Sequence, residues 1–247
     1  MTRMHAALGW ALATAALQAC GHAESAQAVA ETASGEVVRD TPRAAVRDDS
    51  VRAATESHVA QAAHATLDTA MFAGGCFWSM ERPFQHVPGV VGTTVGYAGG
   101  HTANPTYEQV NTESTGHAET VQVEFDPSKV TYAALLEVYW HNVDPVTKDR
   151  QFCDGGADYR TIIFTHNASQ QAAALASKTA LTRSGHFKSP IVTELVANAA
   201  FWRGEDYHQH FADRNPGRYG AYRRGCGRDA RLHELWGNAA SPYVPAS

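Results

Sequence analysis

Cysteine is scarce in this chain, and no two cysteines stand close enough in sequence to form a Cys-x-x-Cys pair. Zinc knuckles and thioredoxin-type redox motifs both require such closely spaced pairs. We therefore expect neither of these motifs, and we predict no metal site and no bound cofactor. The four cysteines are Cys20, Cys76, Cys153 and Cys226.

The chain also lacks an excess of basic residues and a second long hydrophobic run. It carries 20 Lys and Arg against 25 Asp and Glu, which gives a net charge of -5 at pH 7. Nucleic-acid binding depends on a basic surface that neutralises phosphates. We expect no nucleic-acid partner, and we expect contact with a membrane only through a lipid anchor near the N-terminus.

Aromatic residues are missing from the stretch that precedes the folded part. Residues 20–68 are rich in Ala, Glu, Arg, Asp, Ser and Thr and contain no Phe, Tyr or Trp. Such a composition cannot bury enough apolar surface to offset the entropy of ordering, so we predict a disordered tether. Nearly all aromatic residues lie within residues 69–240, a length that suits one domain, and residues 241–247 form a short tail.

The first 19 residues have the pattern of a secretion signal. Arg3 and His5 precede the apolar stretch Ala6–Leu17, which is too short for an ordinary transmembrane helix and fits the apolar part of a signal peptide. Residues 17–21, Leu-Gln-Ala-Cys-Gly, resemble the cleavage box of bacterial lipoproteins, in which the cysteine becomes lipidated. We expect a signal peptide over residues 1–19, lipidation at Cys20 and a location in the periplasm of the bacterial cell envelope. Secretion with cleavage nearby is the alternative.

The sequence Gly-Gly-Cys-Phe-Trp at residues 74–78 is the strongest chemical signal in the domain. It follows an apolar run and opens a segment with helical spacing, so Cys76 is expected where a strand turns into a helix. The positive end of a helix stabilises an adjacent anion by up to about 2 kcal/mol, which favours a thiolate nucleophile. An arbitrary cysteine is more often a small buried hydrophobe, but the glycine turn and the flanking Phe77 and Trp78 favour the catalytic interpretation.

One acidic residue lies on the apolar face of a predicted strand. Val121, Val123 and Phe125 alternate with polar residues and form the buried face, and Glu119 belongs to that face. It lies either at the rim of the core or inside it, where loss of hydration raises the pKa of the carboxyl. A neutral carboxyl is a general acid at pH 7, and the pattern leaves both possibilities open. The residues expected to face water are Thr120, Gln122 and Glu124.

Strand-like runs alternate with helical periodicity along the domain, which indicates an α+β two-layer sandwich. The predicted strands are Thr69–Ala73, Val90–Tyr97, His117–Phe125, Thr161–Thr165 and Ile191–Val196. The predicted helices begin after Cys76, at Tyr132, after the N-cap Asn167, and at Glu205, the last one ending at Arg214.

Two loops carry polar residues that are suited to chemistry. Tyr107 lies in the first, and Asp154 and Tyr159 lie in the second. A phenol in such a loop can donate a hydrogen bond to an oxygen that gains negative charge. Loop tyrosines are more often half-buried structural residues, so the residues alone leave the role of both open.

Together these motifs are similar to those of the A-type peptide methionine sulfoxide reductases, a family that reduces one epimer of methionine sulfoxide. The resemblance implies a two-layer α+β sandwich with a ferredoxin-like core and an irregular C-terminal tail. The matching segments occur in the family's order and are Gly75-Cys76-Phe77-Trp78 with Glu81, Gly96-Tyr97-Ala98-Gly99-Gly100, Pro105-Thr106-Tyr107, Gly116-His117-Ala118-Glu119, Asp154 to Arg160, Thr193-Glu194 and Glu205-Asp206-Tyr207-His208-Gln209.

The resemblance implies a role for each candidate residue. Cys76 would attack the sulfur of methionine-S-sulfoxide, free or in a protein, and Glu119 would protonate the departing oxygen, leaving methionine and a Cys76 sulfenic acid. A thioredoxin-like donor would return the electrons, and the protein is expected to be a monomer that repairs oxidised envelope proteins. The supporting residues would be Tyr107 and Tyr159 at the oxygen, Phe77 and Trp78 around the S-methyl group, and Asp154 as a further polar group.

The C-terminal segment differs from that of the best-known members, many of which carry resolving cysteines in a glycine-rich tail. Here the tail has one cysteine, Cys226, with a glycine on each side and three arginines nearby. The glycines would let Cys226 reach Cys76, and the arginines would favour its thiolate. We expect Cys226 to resolve the sulfenic acid through an intramolecular disulfide, with Cys153 as the alternative.

A cysteine hydrolase or acyltransferase with Cys76 as nucleophile is the main alternative function. That chemistry needs a base within hydrogen-bond reach of the thiol, and it leaves Glu119 on the buried face and Cys226 in the tail unexplained. A non-catalytic lipoprotein binding module is a third possibility. The intact set of Cys76, Glu119 and the two loop tyrosines argues against it.

Overall fold

A six-stranded sheet forms the centre of the fold in the computed structural model, which describes residues 66–239. The strands lie in the order β7-β6-β1-β3-β2-β8, and every neighbouring pair is antiparallel except β6 and β7. The predicted signal peptide, Cys20 and nearly all of the tether and short tail lie outside the described residues. The strands are β1 (Asp68–Gly74), β2 (Val90–Ala98), β3 (Ala118–Phe125), β6 (Thr161–Thr165), β7 (Glu194–Ala197) and β8 (Phe201–Arg203), and a separate pair consists of β4 (Arg150–Gln151) and β5 (Asp154–Gly155).

Three of the helices in the described residues begin at a side chain that accepts a hydrogen bond from a first-turn amide group. The side chain of Thr131 accepts a hydrogen bond from Ala134 N, and that of Asn167 accepts one from Gln170 N, so the predicted cap at Asn167 is confirmed. Within residues 66–239, no helix has the length and apolar character needed to cross a bilayer. The helices are α1 (Phe77–Gln85), α2 (Tyr107–Val110), α3 (Tyr132–Trp140), α4 (Ala168–Arg183), α5 (Phe211–Arg214), α6 (Pro216–Gly225) and α7 (Arg228–Trp236), with 3-10 turns at Ala157–Tyr159 and Gly237–Ala239.

Phe72 of β1 organises the side of the sheet that the helices cover. Its ring stacks on Phe84 of α1 at a centroid distance of 5.0 Å and on Tyr139 of α3 at 5.2 Å. Burying a phenylalanine side chain contributes about 1.5–3 kcal/mol, so this contact holds α1 firmly against β1. Strand alternation points its neighbours to the other face, where they join a second cluster. That cluster consists of Met71, Ala73, Ala98, Ala118, Ile162 and Phe164.

Four of the five predicted strands are confirmed to within one residue, and the fifth begins three residues late. Val192 N donates to Pro145 O in a loop, so β7 starts only at Glu194. The helix predicted from Glu205 to Arg214 is wrong over its first half, because His210 has a left-handed φ of 51°. Only α5 is helical in that segment.

The prediction of an irregular C-terminal tail is wrong, because the tail forms the helices α6 and α7. Pro216 stands at the start of α6, where a missing N–H is tolerated. Gly227 adopts a left-handed φ of 67° between the two helices. Leu232 and Leu235 bury one face of α7. Of the two glycines beside Cys226, Gly225 is the last residue of α6 and Gly227 separates the two helices, so neither makes the tail irregular.

Candidate active site

Cys76 lies in the tight turn between β1 and α1, as the glycine pattern predicts. Gly75 has a φ of +83°, a left-handed conformation that favours glycine. Cys76 is the N-cap of α1, and its carbonyl accepts hydrogen bonds from Ser79 N at 2.9 Å and Met80 N at 3.2 Å. The side chain is fully buried and forms no disulfide. The positive end of α1 therefore lies at the thiol.

Glu119 lies inside the core rather than at its rim, with 1% of its surface exposed. Its Oε2 accepts a hydrogen bond from Phe77 N at 2.9 Å, one residue beyond Cys76. Burial, and next the charge of Cys76, raise the pKa of Glu119 well above its ordinary value, although the Phe77 N–H bond opposes them. The site therefore favours the protonated carboxyl, which is the form a general acid needs.

The neighbouring Thr120 does not face water as predicted. It is fully buried, and its hydroxyl donates to the carbonyl of Ala118 at 2.9 Å, so the strand satisfies it locally. Gln122 is half-buried and Glu124 is exposed. Both sides of β3 are therefore covered at the end that carries Glu119, which is why this carboxyl is so far from solvent.

An aromatic pocket surrounds the start of α1. The Trp78 ring stacks on Phe211 at 3.7 Å, and its indole N–H donates to His208 Nδ1 at 3.1 Å. The rings of Phe77 and Tyr107 lie 4.8 Å and 4.7 Å from the imidazole. Burial lowers the pKa of His208 to about 4, so the ring is neutral at pH 7 and the pocket carries no charge from it.

Glu205 and His208 hold this pocket together, and sequence reasoning did not assign them that role. Glu205 accepts hydrogen bonds from the Tyr97 hydroxyl at 2.7 Å and from Tyr107 N at 2.8 Å. The only available signal was their occurrence in one short motif near the end of the domain. The bond from its backbone N–H to Glu205 holds Tyr107, which is 7% exposed, against the ring of His208. Phe77 contacts the same imidazole ring, so the two aromatic side chains lie on one pocket.

The second loop brings Tyr159 and Asp154 toward the same region. Tyr159 ends the 3-10 turn Ala157–Tyr159 and is 8% exposed. Burial raises the pKa of Asp158 in that turn to about 6, and its charge contributes to the raised pKa of Glu119. Asp154 also contributes to that increase. The negative charges of Asp154 and Asp158 in this loop therefore act on the carboxyl of Glu119.

Tyr222 of α6 covers the site, and the sequence did not point to it. Its hydroxyl donates to Asp154 Oδ2 at 2.5 Å, its ring meets Trp78 edge-on at 6.1 Å, and it also interacts with the side chain of Cys76. Burial raises the pKa of Asp154, and the Tyr222 bond opposes the change. Tyr222 precedes Cys226 by four residues, so a helical tail places both on one face.

Comparisons with known proteins show the family. The family model described as peptide methionine sulfoxide reductase matches residues 68–240. The chain belongs to this family. Peptide methionine sulfoxide reductase MsrA of Bacillus subtilis is 49% identical over 170 residues, which cover 69% of this chain and 96% of that protein. The MsrA of Methanosarcina acetivorans is 55% identical over 148 residues, which cover 60% of this chain and 79% of that protein.

Two solved structures resemble this chain as well. Methionine sulfoxide reductase A of Corynebacterium diphtheriae has a TM-score of 0.55 at 33% identity, covering 62% of this chain and 77% of that one. Mxr1 of Saccharomyces cerevisiae in reduced form has a TM-score of 0.58 at 27% identity, covering 62% and 88%. This reductase therefore has a mixed α+β fold and catalyses the thiol-dependent reduction of methionine sulfoxide.

The reductase contains a disulfide between Cys153 and Cys226, with a Cα–Cα distance of 4.9 Å. The two candidate resolving cysteines are thus joined to each other and not to Cys76. Asp154 lies beside both sulfurs, with Oδ1 3.5 Å from Cys153 Sγ and Oδ2 3.8 Å from Cys226 Sγ. Donor atoms of these three residues lie within 4.8 Å of one another. While the disulfide is formed, neither sulfur is a thiolate that would ligate a metal.

The hydrolase alternative is not supported by this reductase site. Such an enzyme needs a base that accepts the proton of the thiol. The imidazole of His208 instead has its Nδ1 engaged by the Trp78 indole, and burial lowers its pKa. The ionisable group next to the helix start is Glu119, whose environment favours the protonated form.

Proposed function

We propose that this A-type reductase reduces methionine-S-sulfoxide with Cys76 as nucleophile and Glu119 as general acid. The observation that carries the proposal is the 2.9 Å hydrogen bond from Phe77 N to Glu119 Oε2. It places a buried acid next to the helix start where the thiol lies, so both groups reach one substrate. The aromatic pocket formed by Phe77 and Trp78 is of the right character for an S-methyl group.

The first step transfers the sulfoxide oxygen to Cys76. The thiolate attacks the sulfoxide sulfur, Glu119 gives its proton to the oxygen, and that oxygen moves to the cysteine. Methionine leaves with two more electrons, and Cys76 becomes a sulfenic acid. Tyr107 and Tyr159 act as hydrogen-bond donors to the oxygen while it gains negative charge. Asp154 accepts a hydrogen bond from the Tyr222 hydroxyl, and together these two side chains position the substrate.

Recycling proceeds through Cys226 and then Cys153. The Cys226 thiol displaces water from the sulfenic acid and forms a Cys76–Cys226 disulfide. The Cys153 thiolate next attacks Cys226 Sγ, which releases Cys76 as a thiol and leaves the Cys153–Cys226 disulfide. The position of Tyr222 supports this order, because it interacts with Cys76 one helical turn before Cys226.

A thioredoxin-like protein then reduces the Cys153–Cys226 disulfide by thiol–disulfide exchange. Cys153 is exposed whereas Cys226 is half-buried, so an external thiol reaches Cys153 more readily. The carboxyl of Asp154 lies beside both sulfurs and takes part in proton transfer during the exchange. We therefore expect the donor to attack Cys153 Sγ.

Substitution of the tail cysteine should separate the two halves of the cycle. We expect Cys226→Ser to retain a burst of about one methionine per enzyme but to lose most thioredoxin-driven turnover, since the sulfenic acid is no longer captured. Cys153→Ser, the matched control, should retain the burst and accumulate the Cys76–Cys226 disulfide. Peptide mass mapping after one equivalent of methionine sulfoxide measures both linkages.

One result would transfer the first capture to the other cysteine. If Cys226→Ser turns over normally and its peptides contain a Cys76–Cys153 disulfide, then Cys153 resolves the sulfenic acid and the proposed order is reversed.

We further propose that the protein is anchored by lipid at Cys20 in the bacterial envelope, where it repairs oxidised proteins as a monomer. The lipoprotein-like segment at residues 17–21 motivates the proposal. Cys20→Ala should then convert a protein that pellets with membranes into one that is soluble or uncleaved. Immunoblots of fractionated cells measure this outcome. A wild-type protein that is already soluble would show that the lipid anchor is absent.

We also propose that the centre of the domain is a ferredoxin-like core. The central strands β6-β1-β3-β2 are antiparallel, with α1 between β1 and β2 and α3 between β3 and β6. A β-α-β-β-α-β connection of this kind supports a ferredoxin-like core, to which β7 and β8 add one strand at each edge.

A further inference from the structure

Arg228 is a buried cation at the first position of α7. Only 1% of its surface is exposed, and it is the largest of the fully buried side chains in the part of the chain that is described. Arginine is rarely buried to this extent unless it is paired. The left-handed Gly227 redirects the chain from α6 into α7 and thereby turns Arg228 inward.

The guanidinium reaches the turn that carries Cys76. Its Nη2 donates to the carbonyl of Gly74 at 3.2 Å and to that of Asn142 at 2.7 Å. A β-carbon on Gly75 would lie 3.5 Å from Nη1, so the side chain passes directly behind the turn. Arg228 thus links the end of β1 to the segment after α3.

Arg228 differs from the arginines near it because it forms no ion pair with a carboxylate within residues 66–239. Arg223 forms an ion pair with Asp229, and Arg231 forms one with Asp144. In Arg228, Nε and Nη1 have no hydrogen-bond partner among the described residues. The guanidinium carbon lies 4.3 Å from the centroid of the Phe152 ring, but a buried charge without an ion pair is costly, so this residue requires an explanation beyond packing.

Cys76 is one of the groups whose negative charge acts on Arg228. Burial, and next the charge of Arg223, lower the pKa of Arg228, whereas Tyr222, Tyr219 and Cys76 oppose the decrease; Arg228 in turn opposes the rise in the pKa of Asp154. Burial raises the pKa of Glu119 and of Tyr222, which keeps both neutral when Cys76 ionises. The ionisable groups that act on Cys76 or Arg228 are Glu119 of β3, Asp154 of β5, and Tyr219, Tyr222 and Arg223 of α6, and Asp158 of the 3-10 turn acts on Glu119.

We propose that Arg228 is a positioning residue for the nucleophile, holding the Gly74 carbonyl of the turn and supplying the positive charge that favours the Cys76 thiolate. This inference rests on the proposed role of Cys76. Arg228 follows Cys226 by two residues, so the tail that carries the resolving thiol also prepares the nucleophile. Docking of α7 and ionisation of Cys76 are then coupled.

Alkylation of Cys76 as a function of pH tests the proposal without requiring turnover. The reduced full-length protein is treated with iodoacetamide, and the Cys76 peptide is quantified by mass spectrometry. We expect the midpoint in the wild type to lie below the ordinary thiol value of about 8.5. Arg228→Gln keeps a donor for the Gly74 carbonyl but removes the charge, so its midpoint should rise by about one pH unit, as expected for loss of a nearby charge.

Two further variants separate charge from packing. Arg228→Lys retains the cation and should restore at least half of the midpoint change, with a single-turnover rate closer to the wild type than that of Arg228→Gln. Arg224→Met removes an exposed arginine of the same tail and should leave the midpoint unchanged.

Two outcomes would overturn the proposal. One is an equal midpoint in folded Arg228→Gln and wild type. The other is a wild-type midpoint at or above the ordinary thiol value, which decides the matter even if Arg228→Gln does not fold. Loss of sulfoxide reduction in Cys76→Ser bears on the proposed function alone, so the two failures are distinguishable.

Discussion

Cys76→Ser should abolish the reduction of methionine sulfoxide while leaving the fold intact. The serine hydroxyl does not ionise in the accessible pH range, so neither the attack on sulfur nor the sulfenic acid is available to the variant. The change removes little volume, and the turn geometry depends on Gly75 and on the carbonyl of residue 76 rather than on the thiol. We therefore expect turnover at background level and a melting temperature close to that of the wild type.

A coupled assay with methyl p-tolyl sulfoxide and dithiothreitol measures this loss, and circular dichroism checks the fold. Cys153→Ser is the matched control, because it alters a thiol outside the pocket and should keep the first half-reaction. Retained turnover in Cys76→Ser would remove Cys76 from the mechanism.

Glu119→Gln should slow the first half-reaction by about 10² to 10⁴, the range that general acid catalysis supplies. The amide keeps the shape of the carboxyl and can accept the hydrogen bond from Phe77 N, but it has no proton of suitable acidity to give. The expected defect therefore lies in the rate of methionine formation in a single turnover and not in the binding of the sulfoxide.

The pH dependence of the same variant follows from the raised pKa of Glu119. The acid is active below its pKa in the folded protein, so the wild-type rate should fall as pH rises through that value, and Glu119→Gln should lack this alkaline limb. The unfolding free energy changes in the same direction. Because the native carboxyl holds its proton more tightly than the unfolded one, wild-type stability is lost as pH rises through the folded pKa.

Rapid-quench single turnovers between pH 6 and about 9 measure the rate, and urea unfolding at the same pH values measures stability. Gln122 lies on the same strand and is half-buried, so Gln122→Asn serves as a control that alters a polar side chain of β3 outside the site. An alkaline limb that persists in Glu119→Gln would mean that another group delivers the proton.

The local features around Cys76 were predictable because they depend on neighbours in sequence. A glycine pair followed by helical spacing predicts a turn, and Cys76 is indeed the N-cap residue. The alternation in β3 places Glu119 on the buried face for the same reason, since strand geometry has a period of two. The alternation failed at Thr120, because other elements cover the second face of the sheet at that end.

The C-terminal segment was predicted less well, because glycine has two opposite uses. Glycines permit an irregular chain, but they also separate helices, as Gly227 does between α6 and α7. Which use applies depends on whether the flanking residues find a surface to pack against. Leu232 and Leu235 do so, and the helices they support bring Tyr222 and Arg228 to the site.

The sequence by itself determined the chemistry: a thiol at a helix start, an acid on a buried strand face and two further cysteines in the domain. Tertiary structure alone decided which of these groups meet. The 2.9 Å contact of Phe77 N with Glu119 joins residues 42 apart in sequence, and the Cys153–Cys226 disulfide joins residues 73 apart. Such contacts depend on the packing of whole elements, whereas local patterns specify only the backbone on which each side chain stands.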